Sequence, residues 1–189
     1  MVIIGGGPGG YAAALYGAAA GLDVAMIEKS KVGGTCLHVG CIPAKELLET
    51  AAVHRAIVGA DQFGIEVGPP KVDFGVTQER KQKVIDQLYK GLSGLLKARK
   101  VTIYDGVGTL GANKTVTVSG GSFGDVELVG EFVVLASGSV PRTIPGFDVD
   151  GKVVVTSDEV LSITELPAKA AVIGGGAIGC EFASMMADL

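Results

Sequence analysis

The chain has 189 residues and a net charge of −4, and is 48% hydrophobic and 19% charged. That balance supports a sizeable buried core, excludes a disordered chain, and offers nucleic acid no Lys/Arg tract to bind. No apolar run reaches the roughly 18 residues that span a membrane, and 3 cysteines are too few for a disulfide-stapled secreted scaffold. Met1 leads straight into an apolar run with no charged leader or cleavage site, so a cytoplasmic location is expected. The 30 glycines are roughly twice the usual share of about 7%. They cluster in tight motifs, as in α/β proteins that bring backbone close to a ligand.

Met1–Ile4 is a short apolar strand that stops at Gly5-Gly6-Gly7-Pro8-Gly9-Gly10. An Ala-rich helix is predicted from Tyr11 to Ala20, ended by Gly21, and Leu22–Ile27 reads as a second strand. This β-α-β unit implies a parallel sheet. A Gly-rich loop at 32–40 leads to a helix from about Pro43 to Val58, where proline suits the first turn. Residues 61–75 read as a loop. A long amphipathic helix follows from Val76 to Arg99, with Val84, Leu88, Leu92, Leu95 and Leu96 as its apolar stripe and its basic residues on a solvated face. Strands are predicted at Val101–Tyr104, Thr115–Val118, Val126–Val129 and Phe132–Leu135, the middle pair as a small antiparallel excursion. Residues 136–169, punctuated by prolines, form a link. Ala170–Ile173 reads as one more strand, before Gly174-Gly175-Gly176-Ala177-Ile178-Gly179 and the start of a helix.

Gly5-x-Gly7-x-x-Gly10 between a strand and a helix is the pattern of a dinucleotide turn. The first glycine permits the bend, the second lets a pyrophosphate approach the backbone, and the third lets helix and strand pack closely. Glu28 stands at the distance expected of the acid that holds a ribose hydroxyl. The alternative is a glycine-rich structural turn with Glu28 merely solvated. Gly174, Gly176 and Gly179 repeat the spacing without an acidic partner in these residues. Cys36-x-x-x-x-Cys41 encloses too short a loop for a disulfide to stabilise the fold much, so a redox couple makes better sense of it. Cys41 lies just ahead of a helix start, where the dipole favours thiolate, and Lys45 follows by four residues. Zinc lacks enough further ligands; two buried thiols remain the bland alternative. Cys180 reads as a small core residue, His38 as a loop contact and His54 as packing.

Gly33-Gly34-Thr35-Cys36-Leu37-His38-Val39-Gly40-Cys41-Ile42-Pro43-Ala44-Lys45 resembles the redox-active segment of the pyridine nucleotide–disulfide oxidoreductases. The resemblance covers the whole chain: the first glycine motif, the cysteine segment, Val129–Pro141 with Ala136-Ser137-Gly138, and the second glycine motif. Within the family, Cys-Leu-x-x-Gly-Cys-Ile-Pro-x-Lys followed by Leu47-Leu48 is most similar to the dihydrolipoamide dehydrogenase branch. Glutathione and mercuric reductases usually carry Val after each cysteine. Two departures are His38, where Asn is common, and Ser137, where Thr is common.

The resemblance implies a doubly wound FAD-binding domain over residues 1–145, with a small antiparallel β excursion. Residues 146–189 would begin an NAD-binding domain with its first strand and partial helix, and a dimerisation domain would lie outside these residues. It implies FAD contacts from Gly5, Gly7, Gly10, Glu28, Lys29, Thr35, Lys45, Gly108, Ser137 and Gly138, and NAD contacts from Gly174, Gly176, Ile178 and Gly179. Cys41 would lie against the flavin and Cys36 would meet the substrate, while Glu181 would pair with Lys45. Dihydrolipoamide, carried on a lipoyl protein of a 2-oxoacid dehydrogenase complex, would reduce the Cys36–Cys41 disulfide, with the electrons passing to FAD and then NAD in a homodimer. The chain alone is expected to be inactive, as the N-terminal part of such an enzyme. A reductase of another disulfide or of mercuric ion, and a non-catalytic FAD-binding product, stay open.

Overall fold

The computed structural model describes residues 1–189, which divide into two compact units: Met1–His38 with Asp86–Val140, and Val39–Ile85 with Pro141–Leu189. In chain order the elements are β1 (Val2–Ile4), α1 (Pro8–Ala19), β2 (Ala25–Glu28), α2 (Gly34–His38), α3 (Cys41–Val58) and α4 (Phe74–Ala98). Then come β3 (Thr102–Asp105), β4 (Val107–Leu110), β5 (Thr115–Ser119), β6 (Val126–Val129), β7 (Val133–Leu135), α5 (Ser157–Val160) and α6 (Ala177–Asp188).

All strands belong to the first unit. Four form a parallel sheet in the order β3-β2-β1-β7, with Ile3 opposite Met26 and Val134. The two central strands are apolar up to Glu28, which ends β2, because both their faces are covered. Ile3 and Met26 pack with Ala14 of α1, Val24, Val101 and Leu96 of α4. Val2, Ile4 and Ile27 point the other way, onto Val116 and Val118 of β5. Each such side chain, fully buried, contributes about 1.5–3 kcal/mol. The expected antiparallel excursion is present as the sheet β4-β5-β6. Its edge strand β4 had no signal of its own in the sequence. Val107-Gly108-Thr109-Leu110 is mostly exposed and is held by pairing with β5.

The second unit is helical. Ala44, Leu47 and Ala51 of α3 pack with Phe182 and Met185 of α6, Phe74 of α4 and Leu161. Helix α5 begins at Thr156, whose Oγ1 accepts from the Asp158 amide while Glu159 accepts from the Thr156 amide at 2.6 Å. The Thr156 hydroxyl also donates to Glu159 at 2.7 Å, and this bond first, with the Thr156 amide second, holds the Glu159 carboxyl below its ordinary range.

Three sequence expectations are corrected here. Ala170–Ile173 forms no strand, since a ladder needs a neighbour to receive its N–H and C=O groups and none of these residues is paired. The buried stripe of α4 is Phe74, Thr77, Lys81, Ile85 and Leu96, whereas Leu88 and Leu95 are exposed. Lys81 is thus not on a solvated face. Its ammonium donates to the Leu161 carbonyl and to Gln78, whose own amide donates to the Ile163 carbonyl at 2.9 Å. Burial pushes the Lys81 ammonium below its ordinary value. Cys180 is exposed rather than a core residue. Helix α6 turns Phe182 and Met185 inward, and a residue two positions before Phe182 falls on the far side of the helix.

Candidate functional site

The first glycine turn stands at the carboxyl end of β1, where parallel α/β sheets present ligands. Gly5 has φ +104°, and a Cβ added there would lie 2.1 Å from the carbonyl oxygen of Ala136, which follows β7. A Cβ on Gly10 would lie 1.7 Å from the carbonyl oxygen of Gly5. Both positions therefore require glycine to close the turn. Gly7 differs, because the nearest atom to its added Cβ is 3.8 Å away. It is also the N-cap of α1, and no side chain caps it. The first-turn amides and the positive end of the helix dipole thus face a place that the protein leaves open, which suits a phosphate.

Glu28, at the carboxyl end of β2, is not merely solvated. Its Oε2 accepts from the Gly6 amide at 2.7 Å and its Oε1 from the Ser30 amide at 2.9 Å. Each oxygen keeps a second lone pair for a sugar hydroxyl. These observations fit a dinucleotide such as FAD: uncapped amides for the pyrophosphate, an open glycine for its approach, and an acid beside them. Ser137 and Gly138 follow Ala136 on the same carboxyl edge and are exposed, and Lys29 is exposed next to Glu28. Gly108 lies on β4, its Cα side toward Ile4 and Ile27.

The cysteine segment begins against this turn. The Gly33 amide donates to the Gly6 carbonyl at 2.8 Å, and a Cβ on Gly34 would lie 2.6 Å from the Gly7 Cα. Two successive residues with positive φ, Gly33 and Gly34, make that approach possible. They were not picked out as structural glycines in the sequence, although a Gly-Gly pair directly before Thr-Cys is the signal that could have done so. The following residues form α2 rather than a loop, with Thr35 exposed, Cys36 half-buried and Leu37 buried. His38 ends it in the contact expected of it, its Nε2 2.9 Å from the Val32 carbonyl oxygen.

Cys41 opens α3 in the second unit and is exposed. The helix starts two residues earlier than Pro43 signals. Proline is tolerated there because first-turn amides have no partner within the helix. One turn on, Lys45 Nζ lies 2.5 Å from Glu181 Oε1 of α6. Farther along, Arg55 pairs with Asp188 at 3.2 Å, a contact with no sequence signal. Lys45 before Arg55 and Glu181 before Asp188 mean that α3 and α6 run in the same direction. Cys41 and the second glycine turn therefore stand at the same, positive end of the helix pair.

That second turn copies the first. Gly174 has φ +115°, Gly176 caps α6 at φ −76° and ψ 174° against −73° and −171° for Gly7, and a Cβ on Gly179 would lie 2.2 Å from the Gly174 carbonyl oxygen. Ile178 is exposed on the first turn of α6. The Cys180 Sγ reaches the Gly175 carbonyl oxygen at 3.5 Å. His54 is half-buried on α3.

The family model described as pyridine nucleotide-disulphide oxidoreductase matches residues 1–189. A dihydrolipoyl dehydrogenase of Bacillus subtilis is 46% identical over 100% of this chain and 41% of its own length. One of Chlamydia muridarum is 42% identical over 100% of this chain and 40% of its own length. Among solved structures, the Cu(II) complex of an HOCl-induced flavoprotein disulfide reductase of Escherichia coli superposes with a TM-score of 0.80 at 33% identity, over 99% of this chain and 39% of that one. LpdA of Mycobacterium tuberculosis shares the fold with a TM-score of 0.89 at 23% identity, over 99% of this chain and 42% of that one. The chain thus spans about two-fifths of the length of the relatives it matches.

Proposed function

Because the chain belongs to the pyridine nucleotide-disulphide oxidoreductase family, we propose that it is the FAD-binding, thiol-bearing part of a dihydrolipoyl dehydrogenase. The observation that carries this reading is the contact of Gly33 and Gly34 with Gly6 and Gly7. It joins the helix of a cysteine to the turn of a dinucleotide site. The similarity to dihydrolipoyl dehydrogenases along the whole chain supports dihydrolipoamide as the substrate.

In this reading Gly5, Gly7, Gly10 and Glu28 hold the pyrophosphate and ribose of FAD. Lys29, Thr35, Lys45, Gly108, Ser137 and Gly138 line the rest of the cofactor. Gly174, Gly176, Ile178 and Gly179 receive NAD. FAD, when bound, supplies the two-electron chemistry that links a dithiol to a nicotinamide. The chain's own part is thiol exchange. A dihydrolipoamide thiolate attacks Cys36 Sγ of a Cys36–Cys41 disulfide, forming a mixed disulfide and releasing Cys41 as thiolate. The second lipoyl sulfur, as thiolate, attacks the lipoyl sulfur bonded to Cys36 in that mixed disulfide, closing the lipoamide ring and releasing Cys36 as thiolate. Lys45, paired with Glu181, places a cation one helical turn from Cys41. The lipoyl group is carried on a protein of a 2-oxoacid dehydrogenase complex, and the working enzyme is a cytoplasmic homodimer.

A disulfide reductase with a different substrate is the second reading, favoured by the similarity to the Escherichia coli flavoprotein. The test is peptide mapping of the oxidised, full-length protein, followed by turnover with dihydrolipoamide and NAD. A Cys36–Cys41 linked peptide with Cys180 alkylated, and turnover abolished by Cys41→Ser, is the expected result. A bond to Cys180 would refute the redox assignment. A correct bond without dihydrolipoamide turnover would favour the second reading.

A further inference from the structure

Helix α2 is a single turn of five residues, Gly34–His38. A helix of that length has no stability of its own, so the place of Cys36 depends on what ties the turn down. Its start is tied through Gly33 and Gly34, and Leu37 is buried at 7% exposure. Its end is tied by His38. The Val32 carbonyl oxygen, 2.9 Å from His38 Nε2, can only accept, so Nε2 carries a proton and donates. The bond runs from the end of the turn back to the residue ahead of it and closes a loop around Cys36. The imidazole is held on another side by Tyr89 of α4, edge to face at 5.5 Å between centroids, and Lys31 Nζ lies 5.9 Å from the centroid of the same Tyr89 ring.

Resting on the proposed thiol chemistry, we infer that His38 is a positioning residue for Cys36, braced by Tyr89, which keeps the half-buried thiol of α2 in one place. It acts through the Val32 bond and does not itself exchange sulfur or electrons. Loosening that bond frays α2 from its end and exposes Cys36, while the fold elsewhere is retained.

The test is the alkylation rate of Cys36 by iodoacetamide in the reduced, full-length protein, read peptide by peptide, with Cys180 as internal reference. His38→Leu removes the donor and should speed Cys36 alkylation by about fivefold or more relative to Cys180, the scale of one hydrogen bond. His38→Gln can still donate to the Val32 carbonyl and should stay within about twofold of the parent. An unchanged rate in the Leu variant, or an equal rise in the Gln variant, overturns the inference. If His38→Leu does not fold, Tyr89→Leu against Tyr89→Phe decides: the first should raise the rate and the second, which keeps the ring, should not. Equal rates in those two also overturn it. Because alkylation is read on reduced protein, failure of the Cys36–Cys41 disulfide to form would refute the proposed function without changing the outcome here.

Discussion

Lys45 Nζ and Glu181 Oε1 lie 2.5 Å apart, although 136 residues separate them in the chain. The two side chains are 58% and 33% exposed. A pair that wet contributes at most about 1 kcal/mol to stability. Conservation of the fold is therefore not its main effect. Glu181→Gln should move the melting temperature by no more than about 4 °C. In the full-length protein loaded with FAD, the same change should slow the dithiol-driven step by roughly tenfold, a barrier change of about 1.4 kcal/mol. Stopped-flow kinetics beside calorimetry would separate the two, and a large stability loss with unchanged rate would contradict this account.

The glycines of the first turn should respond to alanine in different ways. Gly10→Ala drives a methyl into the Gly5 carbonyl, which should cost about 3 kcal/mol through forced backbone movement. Gly7→Ala meets nothing closer than 3.8 Å, and should fold with stability within about 1 kcal/mol of the parent. Its methyl occupies the approach to the helix N-terminus, so FAD affinity should fall. Urea unfolding and a flavin fluorescence titration check the two arms.

Removing the Glu28 carboxylate leaves the buried Gly6 amide without its acceptor. Glu28→Ala should destabilise the protein by about 1–3 kcal/mol even in the absence of nucleotide. Equilibrium unfolding of the apoprotein measures this, and an unchanged midpoint would mean that the bond contributes nothing to the turn.

Lys81 sets a pH dependence with a definite sign. Burial lowers its native value below 10.5, so the native state binds this proton less tightly than the unfolded one. The penalty is present at neutral pH and is relieved as pH rises from the lowered native value to about 10.5. Unfolding free energies of the parent minus those of Lys81→Gln should therefore rise along that alkaline limb. A flat or falling difference would show that the Leu161 and Gln78 contacts repay the burial in full.

Much of this architecture is legible without coordinates, for local reasons. The strand-turn-helix units announce themselves because Gly10 and Gly179 are demanded by the carbonyl oxygens of Gly5 and Gly174 a few residues earlier, and Gly5 and Gly174 each have a positive φ that favours glycine. The apolar runs of β1 and β2 reflect a sheet covered on both faces. What escapes depends on partners distant in the chain. Val107–Leu110 becomes a strand only because β5 lies beside it, and Ala170–Ile173, a better strand by composition, has no such neighbour. Lys81 reads as solvent-facing until Leu161 and Gln78 supply acceptors for its ammonium. The Lys45–Glu181 pair was expected only from a family resemblance. The seam between α3 and α6 that produces it is built from Leu47, Ala51, Phe182 and Met185, whose pairing no spacing rule foretells.

The turn at Gly174–Gly179 keeps its shape although the residues leading into it belong to no sheet. Both turns share one local construction: a leading glycine with positive φ, and a last glycine whose added Cβ would run into the leading glycine's carbonyl oxygen. A methyl at Gly179 should therefore push out the Gly174 carbonyl as one at Gly10 pushes out that of Gly5, and swing the amides that open α6 away from their common aim.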